Sequence, residues 1–187
     1  MTLYQAMAAQ PDPNTTLGSS IAMCSLYRDR LDAQAVAQSH RSLFAPVGQG
    51  ARSRGSFQSE PLARRRIWLG MLSADFHHQH PVNMLMQPVL RELSTSRFEL
   101  FVYFAGGSYD AKTRSARAHA EHRVEVSTLN STRVARLMDR DRLDLQMDLA
   151  GHTDAQRGQH YAQRAAPCKP CTWATPALPV CPIWTGC

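Results

Sequence analysis

The apolar positions of this chain change their period at one point. From Ser19 to Phe44, residues Ile21, Leu26, Leu31, Val36 and Leu43 recur with polar and charged residues between them, which predicts helix. Residues 45–63 are rich in Gly, Ser, Pro and Arg and read as a linker. From Arg66 onward, short apolar runs alternate with amphipathic stretches. "RIWLGMLS" is of strand length, with Ile67, Leu69 and Met71 on one face. "PVNMLMQPVLREL" comes next as a helix. Pro81 suits its first turn, where the missing N–H has no partner to lose, and Pro88 is expected to kink or shorten it. "RFELFVYF" is a second strand, and "DAKTRSARAHAEH" a second helix capped by Asp110. "RVEVS", "STRVARLMDRD" (capped by Asn130 or Ser131), "LDLQMDLAG" and a weaker "DAQRGQHYAQRA" continue the alternation to Ala166.

Strand and helix alternating in this way predict βαβ units and an α/β fold with a Rossmann-like parallel sheet. The organisation expected is a disordered start over 1–16, a helix and linker over 17–63, a Rossmann-like lobe over 64–167 and an irregular tail over 168–187.

Composition adjusts this picture only slightly. The chain has 187 residues, 43% of them apolar and 19% charged, enough for a single core. Its net charge of +6 permits attraction to phosphates. The basic runs "RSRG" and "ARRR" lie in the linker without interleaved aromatics, so a solvated segment is the reading and nucleic acid is not an expected partner. The start lacks a basic region followed by an apolar one, and no run approaches the ~18 apolar residues of a spanning helix. The expected location is the cytoplasm, with no membrane partner.

Open α/β sheets bind ligands outside the carboxyl ends of their strands. "SADFHHQHPV", "FAGGSYD" and "DLAGHTD" fall there, so Asp75, His77, His78, His80, Asp148 and His152 are candidates to converge on one crevice. Gly106, Gly107 and Gly151 would let the backbone turn or approach a ligand closely. Adjacent histidines on one loop rarely point the same way and no H-E-x-x-H spacing is present, so no metal is expected. His80 is either a catalytic or sugar-contacting imidazole or a residue at a helix start bonded to backbone. His122 most simply interacts with a helix C-terminus. Cys24 reads as a buried helix residue.

Together "RRIWLGMLSADF…HPV", "SRFELFVYF", "DLAGHT" and "RAAP" resemble, in order and spacing, the bacterial protein O-linked N-acetylglucosamine transferases. "SLYRDRLDAQAVAQSHRSLF" is similar to the helix just before their catalytic region, and the resemblance covers about residues 17–167. It implies the incomplete first lobe of a two-lobe GT-B glycosyltransferase. That family moves N-acetylglucosamine from UDP-GlcNAc to serine or threonine hydroxyls of protein acceptors, without metal or other cofactor. The resemblance places His80 and His122 among the catalytic candidates, and Gly151, His152 and Thr153 in a loop lining the cleft; Asp75 and Gly107 are added as substrate-side candidates from their position. Two departures stand out. "DFHHQHP" is one residue longer than the family's spacing, and the second, UDP-holding lobe does not come after "RAAP".

In its place stands "CKPCTWATPALPVCPIWTGC", with four of the five cysteines. Read with a one-base shift from Pro167, its codons permit Val-Gln-Ala-Met-Tyr-Leu-Gly-Tyr-Pro-Gly-Thr, the family's next strand and loop. Residues 168–187 are therefore read as out-of-frame translation, and the chain as inactive alone. The alternative is a non-catalytic fragment or binding module, including a zinc-binding cysteine tail. That tail lacks a well-spaced second pair, since Cys181 and Cys187 stand apart.

Overall fold

The computed structural model describes residues 15–27, 32–49, 65–77, 80–93, 96–107, 109–151 and 165–169. Two helices come first, α1 (Thr15–Ser25) and α2 (Ala33–Gln49). The single helical stretch expected from Ser19 to Phe44 is thus two. A turn at Leu26 and Tyr27 ends the first, and Asp32 starts the second by accepting the Ala35 N–H on its Oδ1 at 2.6 Å. α2 also runs on to Gln49, past the point where the linker was expected. Cys24 is exposed rather than buried. The inward face of α1 is set by Ser19, Ala22 and Ser25 at helical spacing, which turns Cys24 away.

Four parallel strands follow: β1 (Ile67–Ser73), β2 (Phe98–Phe104), β3 (His122–Glu125) and β4 (Leu145–Asp148). Between them lie α3 (Pro81–Glu92), α4 (Ala111–His119) and α5 (Ser131–Arg140). The sheet order is β3-β2-β1-β4, so the chain winds outward from β1 to β3 and then crosses back to the far side of β1. The period-two alternation decides the two faces. Leu69, Met71, Leu100, Val102 and Phe104 pack with Met86 and Leu90 of α3 and Ala116 of α4. Leu72, Phe101 and Tyr103 pack with Val134 and Met138 of α5 and with Ala22 and Phe44 of α1 and α2.

The caps are legible in the side chains. Asp110 accepts from Lys112 N and Thr113 N, and Thr113 returns a bond to the Asp110 N–H, completing a capping box. Asn130, not Ser131, caps α5 through the Arg133 N–H. Pro81 sits in the first turn of α3 as expected, but α3 passes through Pro88 instead of ending there. Pro88 and Met84 are both exposed, so water can satisfy the Met84 carbonyl that lost its donor.

The amino-terminal edge of the sheet holds a charged network. Arg65 grips Asp144 with two bonds of 2.6 and 2.7 Å, and Asp144 Oδ2 also accepts the Trp68 N–H at 2.8 Å. Arg65 lies over the Trp68 ring, 4.7 Å from its centroid. Arg66 pairs with both Glu99 and Glu121. Farther along, the Tyr103 hydroxyl donates to Asp141 Oδ2 at 2.6 Å, and burial with that carboxylate pushes its ionisation far up, so it stays a phenol.

After Gly151 the next described residues, 165–169, lie beside the sheet. Ala165 and Ala166 are buried, and Cys168 forms a parallel bridge with Leu145. The Cys168 N–H donates to the Asp144 carbonyl, and the Cys168 carbonyl accepts the Gln146 N–H at 2.9 Å. These are main-chain bonds and carry no side-chain requirement. The expected fourth helix over 154–165 falls almost wholly outside the described residues, as does the tail beyond Lys169.

Candidate functional site

The crossing from β3 to β4 makes the β1–β4 boundary the place where the winding reverses. Outside the carboxyl ends of those two strands such sheets open a crevice. β1 delivers Asp75 and His80 there, and β4 delivers Gly151. Pairing of Leu72 with Asp148, and the Leu149 N–H bond to the Leu72 carbonyl, fix the two ends together.

Each group is held locally. Asp148 is buried, and its two oxygens accept the Ala150 and Gly151 N–H groups at 2.9 and 3.0 Å. That turn needs Gly151 at φ 58°, the left-handed region glycine occupies without strain. His80 is the N-cap of α3: its Nδ1 accepts the Val82 N–H at 3.3 Å. Its Nε2 stands 3.6 Å from Asp75 Oδ1, and the His77 ring is 5.4 Å away, centroid to centroid. The backbone reading of His80 and the site reading therefore describe two nitrogens of one ring. Burial pushes the Asp75 carboxyl up, and the charges of His80 and His77 pull it back only in part.

A raised carboxyl pKa means the fold penalises the charged form. Asp75→Asn should therefore raise stability at pH 7, with the gain shrinking as pH falls through the raised folded pKa and gone below the ~4 of an unfolded carboxyl, where Asp75 is neutral in both states. Urea unfolding at both pH values checks this; an equal gain at each would assign it to something other than the charge.

Next to this crevice, over β1, β2 and β3, lies a cleft of about 150 Å³ lined by Ser73, Phe76, Gly106, Gly107, Tyr109 and Ser127, among others. Arg117 borders it, over the Phe104 and Tyr109 rings and paired with Glu125. The two glycines differ. A Cβ on Gly106 would lie 2.3 Å from the Ala74 carbonyl oxygen, whereas one on Gly107 would meet nothing within 4 Å. Gly106→Ala should thus force the β1 and β2 loops apart and cost about 1–3 kcal/mol, with Gly107→Ala near neutral. Thermal melts of both variants compare them directly.

His122 is placed elsewhere. It opens β3 opposite Phe101, three residues short of the strand's carboxyl end, or ~10 Å at a strand's rise. Instead of meeting a helix C-terminus, it stacks on Phe101 with centroids 3.9 Å apart and bonds Glu99 through Nε2 at 2.7 Å. Burial pushes the Glu99 carboxyl up, but His122, Arg66 and the Trp68 indole outweigh it and hold it below its usual range. Glu99, Glu121 and His122 bring ligand atoms within 4.8 Å of one another, yet Arg66 already bridges both carboxylates and a cation would have to displace it. His152, Thr153 and His78 lie outside the described residues. Of the tail cysteines only Cys168 is among the described residues, so the zinc reading of the tail lies outside them. Sequence reasoning missed Arg65 and Asp144, whose only signal was an Arg run that looked like linker.

The parallel sheet and its winding order define one Rossmann-like lobe. Residues 33–177 match the model of glycosyl transferase family 41, and the chain belongs to that family. The match extends ten residues into the stretch whose reading frame is in question. The chain is 27% identical over 123 residues to a probable UDP-N-acetylglucosamine–peptide N-acetylglucosaminyltransferase, SEC, of Arabidopsis thaliana. That alignment takes in 65% of this chain and 12% of the plant protein. In fold it is similar to a mutant of the Thermobaculum terrenum O-GlcNAc transferase, with a TM-score of 0.81 at 23% identity, covering 89% of this chain and 32% of the other. No helix among the described residues is long and apolar enough to cross a membrane.

Proposed function

We propose that this chain is the first Rossmann-like lobe of a protein O-GlcNAc transferase, which moves N-acetylglucosamine from UDP-GlcNAc to serine or threonine hydroxyls of cytoplasmic proteins. The carrying observation is His80, seated as a helix cap at the strand-order reversal with Asp75 behind it and Gly151 just past the end of the neighbouring strand. Family membership supports the chemistry, and the placement of His80 supports it as the residue. His152 and Thr153 complete the loop after Gly151 in this reading, and Gly107 lines the approach. His122 serves the sheet's other end.

Transfer needs an oriented hydroxyl and, above all, neutralisation of the departing diphosphate. The described lobe offers the first through its crevice; its cation bordering the cleft, Arg117, is committed to Glu125. The diphosphate belongs to the portion of the relatives that this chain does not span. Residues 168–187 are out of frame in this reading. The bridge of Cys168 to β4 agrees with it, because a fifth strand can begin on main-chain bonds whatever the side chains are. Lys169 is buried where the shifted frame permits Gln.

Sequencing the DNA around codon 167 and assaying two proteins tests the proposal. The 187-residue chain should bind UDP-GlcNAc no better than millimolar and transfer no radiolabelled sugar. A frame-corrected, longer protein should do both. Turnover by the short chain alone would place the machinery in the wrong half.

A further inference from the structure

The Asp75–His80 pair determines which way a proton can pass at the crevice, and the ligand it would serve rests on the function just proposed. Nδ1 of His80 accepts the Val82 N–H, so it must present a lone pair. In the neutral ring the proton is then on Nε2. That nitrogen faces Asp75 Oδ1, and an ionised carboxylate accepts only, which favours the same tautomer. Two independent neighbours therefore select one state.

Asp75 is itself fixed. Its N–H donates to Ser73 Oγ at 2.9 Å and its carbonyl accepts the His77 N–H at 2.8 Å. Its Oδ2 is buried with no hydrogen-bond partner among the described residues. Among the described residues, this end of the sheet also carries His77, on the same loop, Asp148, whose oxygens hold the Ala150 and Gly151 N–H groups, and Tyr109 and Glu125 at the neighbouring cleft. The 3.6 Å separation of Nε2 from Oδ1 is longer than a hydrogen bond, and the His80 side chain is 29% exposed. An incoming oxygen can take the Nε2–H without breaking a made bond.

We infer that His80 serves the crevice as a hydrogen-bond donor through Nε2, and not as a proton acceptor, with Asp75 the positioning residue that fixes this tautomer. The ligand atom it meets is an oxygen acceptor of the donor substrate: a sugar hydroxyl, an acyl oxygen or a phosphate oxygen. The proton of the attacking hydroxyl then has to leave to a group other than His80.

The test is long-range proton–nitrogen NMR of the ¹⁵N-labelled 187-residue chain above pH 8, with His80→Ala to assign the signals. Expected is a His80 ring protonated at Nε2 and bare at Nδ1. In Asp75→Asn and Asp75→Ala, the Nδ1–H form should become populated, since one of the two selecting neighbours is gone. A wild-type ring protonated at Nδ1 would overturn the inference, and so would a ratio unchanged in whichever Asp75 variant retains the chain's melting transition. The readout does not involve transfer. A frame-corrected protein that transfers no sugar would therefore sink the proposed function while leaving the tautomer assignment to stand or fall by the spectra.

Discussion

Asp144→Ala is expected to destabilise the chain by about 3–5 kcal/mol, the range for removing one member of a buried ion pair. The size reflects what one carboxylate holds. It takes both guanidinium nitrogens of Arg65, whose side chain is only 12% exposed, and the main-chain N–H of Trp68. The Asp144 N–H in turn bonds the Trp68 carbonyl at 2.9 Å, and its own carbonyl accepts from Cys168. Truncation leaves a cation and an amide without their acceptor at the point where β4 enters the sheet. Asp144→Asn, which keeps an oxygen for Trp68, should lose less. Urea unfolding would show it, and because the pair is shielded the loss should change little between low and high salt. A loss below about 1 kcal/mol would mean that the pair behaves as a surface bridge.

His80→Ala in the frame-corrected, longer protein is expected to lower turnover by about 10²–10³-fold, as for the loss of one oriented donor at a reacting centre. UDP affinity should change by no more than a few fold, because the diphosphate is held elsewhere in the proposed function. Some of the loss will be positional: α3 also loses the cap that Nδ1 provides, worth ~1 kcal/mol. His80→Asn restores a cap without the imidazole and separates the two. Steady-state transfer assays and isothermal titration on these variants decide it. Unchanged turnover in His80→Ala would remove the crevice from the mechanism.

Much of this architecture could be read from residue order. The alternation of Leu69 and Met71 against Leu72 named the faces of β1, and Asp110 and Pro81 marked helix starts because each acts on its own turn. What the sequence hid is non-local. Nothing near Arg65 announces an acid 79 positions away, and nothing near His122 announces the Phe101 ring on which it stacks. Pro88 did not shorten α3, because the Met84 carbonyl it deprives of a donor belongs to an exposed residue, where water can satisfy it. The loops after β1, β2 and β4 were legible, since strand ends are visible in sequence. Which nitrogen of His80 does what was not, because that depends on the Val82 amide and on a carboxylate five residues back.

The sheet has two ends with different duties. Arg65, Arg66, Glu99, Glu121, Asp144 and Trp68 bind the strands together where they begin, and Asp75, His80, Gly107 and Gly151 stand where β1, β2 and β4 finish. The residues at the two ends therefore share few contacts, and changes at one end should add to changes at the other with little interaction. Such a lobe is evolvable: the finishing loops can be recut while the starting edge goes on holding the scaffold.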